Sequence, residues 1–295
     1  MRTLADEEIF SPVVEILRSV ASMVRSGKRI TLSATDTTLI SSLAMAPVEA
    51  ALLDEGIPYS RIITDGPESK SAGLHSPFIL FDPSLDEFSF DSDLSALVIG
   101  GDVPTTAHLG QQGKGRNGVL TPAAISHALA QLISPTGKRV RRMRPWSISG
   151  NWIHPSMDTT YDPVYTTLRD LLEGEGTISV VPLPEVPMLE KSTRPWIDEG
   201  DLAAVKERWP HLDVEGRARA ISHLMRPGLT SSTPSTSRFE ELGWNCILAP
   251  SWDYDLADQI RKASLLWKQM DKSLAAGKVI DALISSGTLY PTLYE

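Results

Sequence analysis

A chain of 295 residues with 41% hydrophobic and 22% charged residues is long enough for one large or two ordinary domains with ample core. Its net charge of −9 argues against wholesale coating of nucleic acid or anionic membrane, though not against a local basic groove. The single cysteine, Cys246, excludes an internal disulfide and a cysteine-based zinc site, and suits a reducing cytoplasm. No apolar run approaches a membrane span, and MRTLADEEIF has neither the basic nor the apolar region of a signal peptide, so neither is expected.

In chain order, Ile9, Val13, Ile16, Leu17, Val20 and Met23 recur at helical spacing, predicting an amphipathic helix from Asp6 to about Ser26. Lys28–Ser33 is a strand candidate. Asp36, Thr37 and Thr38 then cap a helix that runs to about Glu55 with Leu39, Leu43, Val48, Ala51 and Leu52 on its buried side. Tyr59–Thr64 is the next strand, and the β–α–β order with short loops predicts a parallel sheet. Two short apolar runs follow, Phe78–Phe81 and Leu94–Ile99, joined by an acidic connector. Each stops at a small or acidic residue, as buried strands do when they deliver groups to the carboxyl edge of an open sheet. The expected place for chemistry is therefore Asp82 and the Gly100-Gly101-Asp102 corner.

Thr105–Asn117 reads as a polar, glycine-rich surface loop before a helix at Pro122–Ile133. Its glycines with Lys114 and Arg116 could instead cradle a phosphate at that helix's N-terminus, although no Gly-Lys-Ser/Thr closes it as in a P-loop. Lys138–Arg144 carries Lys138, Arg139, Arg141, Arg142 and Arg144, either a solvated connector or a salt-sensitive contact to a nucleic-acid backbone. Trp146–Ile153 is expected as strand and turn, Tyr161–Glu173 as a helix, and Thr177–Val181 as a strand. The proline-rich 182–200 segment suits a linker between a first domain at 1–181 and a second at 201–295. In the second, helices are expected at Leu202–Trp209 and Val214–Met225, a strand at Cys246–Ala249, and one long helix from Asp255 to about Ala275. Trp209, Trp244 and Trp252 are core candidates that would stack on bases only if exposed.

No HExxH, cysteine–histidine array or GxSxG is present. What remains is a set of strand-end acids and amides: Asp36, Asp82, Asp102 and Asn151. Four carboxylates and a histidine there would make a two-metal hydrolase site; three carboxylates and an amide offer too little negative charge for two divalent ions.

The order of these features resembles the DHH phosphoesterase superfamily, in particular its RecJ-like members. LSATDTTLISS stands at the family's Asp-x-Asp motif and keeps Asp36, with Thr38 in place of the second acid. FILFDPS keeps Asp82 at the second motif. VIGGDVP places Gly100, Gly101 and Asp102 where Asp-His-His would be, with Pro104 in register. RNGVLTPAAISHALAQLI resembles the Gly-Val helix, and SISGNWI has Asn151 where the last motif has an acid. STSRFEELGWNCILA resembles the substrate-binding segment of the associated C-terminal domain, with Gly243-Trp244 where Gly-Arg is usual.

The resemblance implies an α/β fold, a parallel-sheet DHH-like domain followed by a smaller α/β domain, with its catalytic site degenerate and no bound metal. It further implies a non-catalytic subunit of the DNA replication machinery, because members that have lost the site include the replisome subunit joining GINS and the MCM ring. Local single-stranded DNA contact would fall to Lys114, Arg116 and the Lys138–Arg144 run. The alternatives are a manganese-dependent phosphoesterase or single-strand exonuclease using Asp36, Asp82 and Asp102, and a small-molecule α/β protein holding a phosphate at the Gly113–Gly118 loop.

Overall fold

The apolar runs do assemble a sheet, and they do so in the parallel sense. The computed structural model describes residues 3–35, 37–64, 75–109, 113–159, 161–230 and 234–289. The chain divides into two units: one made of 1–154, 162–168 and 263–295, the other of 155–161 and 169–262.

In the first unit, β1 (Ile30–Ala34), β2 (Tyr59–Ile63), β3 (Phe78–Phe81), β4 (Phe88–Asp91) and β5 (Ala96–Ile99) form a sheet of order β2-β1-β3-β5-β4. All neighbours pair in parallel except β4, which runs antiparallel to β5 at the edge. The stretch expected as an acidic connector is thus partly a strand. Its Phe-Ser-Phe alternation between acids is the pattern of a half-buried edge strand. The centre is covered on both faces: Ile30, Leu32, Ile79, Phe81, Leu97 and Ile99 are buried on one, and Thr31, Ser33, Leu80 and Ala96 on the other.

α1 (Val14–Arg25) is preceded by two 3-10 turns, Leu4–Asp6 and Glu8–Phe10, so the first helix begins later than its periodicity predicts. α2 (Leu39–Glu55) starts as predicted, with Thr38 accepting from the Ser41 amide and Gly56 closing it in the left-handed region. It is buried on every side from Ser41 to Leu52 rather than along one stripe. α3 (Pro122–Ile133) and α11 (Lys272–Ser286) are its main helical neighbours.

Two elements differ in kind from expectation. Much of the expected loop is instead an antiparallel pair, β6 (Val103–Leu109) against β7 (Lys114–Leu120). The apolar residues that would have marked these strands are scarce because most of β7 faces solvent. Residues 144–153 are helical, a 3-10 turn at Arg144–Ile148 and then α5 (Ser149–Ile153), although Trp and Ile in alternation with small residues suggested a strand. Trp146 is fully buried and donates to the Gly287 carbonyl at 2.9 Å, a tertiary contact that overrides local propensity. α4 (Lys138–Met143) precedes this turn, and α6 (Pro163–Gly174) begins in the first unit and ends in the second.

The second unit holds β8 (Ser179–Val181) antiparallel to β9 (Cys246–Leu248), with α7 (Glu199–Arg208), α8 (Val214–Met225) and α9 (Thr236–Gly243). The proline-rich segment is part of this unit, not a linker: Leu183, Pro184 and Ile197 are buried and Arg194 is fully enclosed. The Arg194 guanidinium donates to Asp258 Oδ1 at 2.6 Å, to Asp255 Oδ2, and to the Leu242 carbonyl at 2.9 Å. One cation between two buried carboxylates leaves the pair short of positive charge. Burial and then repulsion from Asp255 push the Asp258 carboxyl up to about 7. Trp209 and Trp252 are buried and Trp244 is partly exposed, so the first two are core.

The predicted helix from Asp255 to Ala275 is two helices, α10 (Leu256–Gln269) and α11, separated where Asp271 accepts from the Ser273 and Leu274 amides. α10 crosses from the second unit into the first, and α11 belongs to the first, so the boundary at 201 does not divide the fold. The apolar face of α11, with Ala275, Ala276, Val279, Ile280 and Leu283 buried, is what returns the chain to α2.

Two expectations about stability follow. Replacing Arg194 by Met strands both carboxylates and should cost about 3–5 kcal/mol in urea melts read by tryptophan fluorescence at pH 8. His127 on α3 is fully buried with no hydrogen-bond partner for either ring nitrogen among the described residues. Burial, then the charge of Arg144, pushes it down to about 3. The unfolded chain takes up that proton near pH 6.5 and the folded chain does not, so stability should be full above pH 6.5 and fall as pH drops toward 3. A His127→Leu variant should flatten that slope in denaturant midpoints measured between pH 7 and 4.

Candidate functional site at the carboxyl edge of the sheet

β1, β3 and β5 run in parallel, so Thr35, Asp82 and Gly100 all follow strand ends on one edge of the sheet. Asp36 lies outside the described residues. Thr38 is used as the cap of α2.

Asp82 is fully buried and its oxygens are occupied by the protein itself. Oδ2 accepts from the Thr35 hydroxyl at 2.6 Å. Oδ1 accepts from the Ser84 amide at 3.0 Å and the Ser84 hydroxyl at 2.5 Å. Asp-Pro-Ser is an N-cap sequence, and here the aspartate caps a 3-10 turn, Pro83–Leu85. Asp86 continues from this turn in the left-handed region, with φ 47°.

That turn folds the chain over the end of β5. The Glu87 carbonyl accepts from the Gly100 amide at 2.7 Å and from the Gly101 amide at 3.0 Å. A Cβ at Gly100 would lie 2.5 Å from the Asp82 carbonyl oxygen and 3.1 Å from that of Glu87. One at Gly101 would lie 2.5 Å from the Asp86 carbonyl carbon and 2.8 Å from its Cα. The obstacles are backbone atoms, which cannot swing aside as a side-chain tip can. The space that side chains at Gly100 and Gly101 would need is therefore filled by the chain.

Asp102 escapes this closure and pairs with His154, Nε2 to Oδ2 at 3.0 Å, with both side chains part exposed. Burial raises the Asp102 carboxyl above the usual carboxylate range, more than His154 lowers it, and Asp86 and Asp162 add repulsion. Sequence reasoning did not find His154 as this partner. Its one signal was position, directly after the stretch around Asn151.

Asn151 is not at a strand end but in α5, where it joins three elements. Its Oδ1 accepts from the Thr121 hydroxyl at 3.0 Å, and its Nδ2 donates to the Val119 carbonyl at 2.9 Å and reaches Asp162 at 3.5 Å. Asp162 in turn accepts from the Val164 and Tyr165 amides at the start of α6. An amide, with both a donor and an acceptor, fits this junction better than a carboxylate.

Among the described residues no three His, Cys, Asp or Glu side chains converge as metal ligands. The donor set among the described residues does not by itself fit a two-metal centre. Asp82 already accepts three hydrogen bonds, and Gly100 and Gly101 can carry no ligand.

Lys114 and Arg116 are exposed on β7, paired with Leu109 and Ala107, not gathered at the N-terminus of α3 where a phosphate cradle would need them. Of the second run, Lys138, Arg141 and Arg142 are exposed, Arg139 is half-buried, and Arg144 is buried beneath α4, which removes it from any interface.

No family model matches the chain, and no curated protein matches it. Among solved structures, the crystal structure of CDC45 from Entamoeba histolytica is similar, with a TM-score of 0.54. The match covers 96% of this chain and 70% of that one at 11% identity. At that identity the likeness is one of fold, an α/β arrangement built on a mostly parallel sheet.

The closure of the strand end is testable by size alone. Gly101→Ala should destabilise the protein by about 1–3 kcal/mol, and Gly101→His, which restores the residue type of the third motif, by more. Thermal melts read by circular dichroism would check this; a Gly101→His protein as stable as the parent would mean that the 82–87 turn yields easily.

Proposed function

We propose that this chain is a non-catalytic, RecJ-like scaffold subunit of the DNA replication machinery, binding GINS and the MCM helicase and touching single-stranded DNA only locally. One observation carries this reading: the strand end that would hold the catalytic histidines is filled by the backbone of Asp86 and Glu87. Loss of ligands alone could be offset by other acids nearby, whereas this strand end leaves no room for the side chains that such ligands would need at Gly100 and Gly101. The fold likeness to CDC45, a replication factor, supports the same reading. So does the charge, since a body of net −9 with exposed Lys138, Arg141 and Arg142 suits protein partners with restricted DNA contact.

The experiment is capture of purified GINS and MCM by the folded protein at moderate salt, with manganese-dependent degradation of a single-stranded oligonucleotide assayed beside it. Capture without degradation is expected. Folded protein that captures neither partner would sink the scaffold, and degradation abolished by Asp82→Ala would revive the phosphoesterase.

A further inference from the structure

A hollow of about 480 Å³ opens on the first unit where α2, α4 and α11 meet, lined by Leu53, Lys138, Arg139, Arg142, Ile284 and Ser285. Three of its six lining residues are cationic, on a protein with nine more acids than bases. Spacing explains part of this: Lys138 and Arg142 stand four apart on α4 and share a face.

The cations are not loose. Asp54 accepts from the Arg139 and Val140 amides at 2.8 and 3.1 Å, fixing the start of α4. The same carboxylate accepts from Arg139 Nη1 at 3.0 Å. Arg142 donates Nη2 to the Ile284 carbonyl on α11. Each guanidinium is thus held by one nitrogen, leaving its other N–H groups for an outside acceptor. The Lys138 ammonium is exposed and makes no bond to the protein among the described residues. Asp54 offsets one of the three charges, so the hollow keeps a net excess of about two positive charges. Leu53 and Ile284 supply apolar wall.

Held guanidinium forks beside a free ammonium match the tetrahedral, multiply charged oxygens of a phosphate better than a planar carboxylate or an apolar group. Tethering one end of each arginine also lowers the entropy lost when a ligand is gripped. We propose that this hollow is a phosphate-binding site, and that Lys138, Arg139 and Arg142 are its ligating residues. This deepens the DNA contact proposed above, by locating it and by removing Arg144, but it holds whether or not the protein joins GINS and MCM. The phosphate could belong to a single-stranded nucleic-acid backbone or to a free small phosphate compound.

The test uses the full chain. Fluorescence anisotropy with a single-stranded oligothymidine is measured over a salt series, and calorimetry with inorganic phosphate and ATP is run separately. The variants are Lys138→Ala, which removes a group with no protein partner, and the double Lys138→Ala, Arg142→Ala, with melting temperature as the folding control. If the backbone is the ligand, the parent binds DNA, Lys138→Ala weakens it a few-fold, and the double weakens it about tenfold. The salt slope should fall by about 0.7 for each phosphate that is no longer neutralised. If a small phosphate is the ligand, the double loses phosphate or ATP binding while any DNA binding is unchanged. Parent protein that binds none of the three ligands, or folded variants that bind all as the parent does, would overturn the proposal. GINS and MCM capture by the double variant separates the two readings: retained capture without phosphate binding supports the hollow as an independent site.

Discussion

One carbonyl organises the carboxyl edge of the sheet. Glu87 accepts from both the Gly100 and Gly101 amides, and that grip requires the chain to pass within van der Waals distance of two consecutive residues after β5. Only glycine tolerates the approach. The same grip sets up β4: once Glu87 is fixed beside Gly100, Phe88 pairs with Ile99 and the antiparallel edge follows residue by residue. Asp82 serves the arrangement as well, since capping Ser84 turns the chain back toward β5. An aspartate at a strand end, expected from the sequence as a degenerate metal-site position, thus serves here as a turn cap. A side chain's type and place in a motif do not reveal its role until its hydrogen bonds are known.

Much of the frame was legible in the sequence. Phe78–Phe81, Pro122–Ile133 and Val214–Met225 have the bounds their patterns predict, because each is apolar or amphipathic and closed by unambiguous residues. The misses have physical causes. The β6–β7 pair carries threonine, histidine and glycine; β7 is mostly exposed and β6 buries only Thr105 and Ala107, so little apolar signal marks it. Residues 146–153 have strand-like composition, but Trp146 is anchored by a residue 141 positions away, which no local window contains. The proline-rich segment looks like a linker until Arg194 is seen buried against Asp255 and Asp258. The site was half legible: the strand ends were found, their closure was not, because it depends on backbone atoms of the connector rather than on any residue type.

Charge in this protein is sorted by depth. Buried ions, Arg194 with its two aspartates and Glu49 with Tyr59 and Arg61, are held by several partners and hold segments together. Exposed ones, Lys138 and Arg141 among them, are free to meet something else. The single basic run contains both kinds, and only the structure separates Arg144, which is core, from its neighbours.

The return of α11 to α2 has a consequence for how the molecule is made. The first unit is assembled from stretches that begin near residue 3 and finish near 289, with most of the second unit threaded between them. During synthesis, the α2 surface that α11 will cover stays bare until α11 leaves the ribosome, long after the sheet beneath could have formed. The second unit, whose chain is continuous apart from residues 155–161, can complete first. The order of synthesis thus allows a stage with a complete insert and an incomplete host, which α11 closes.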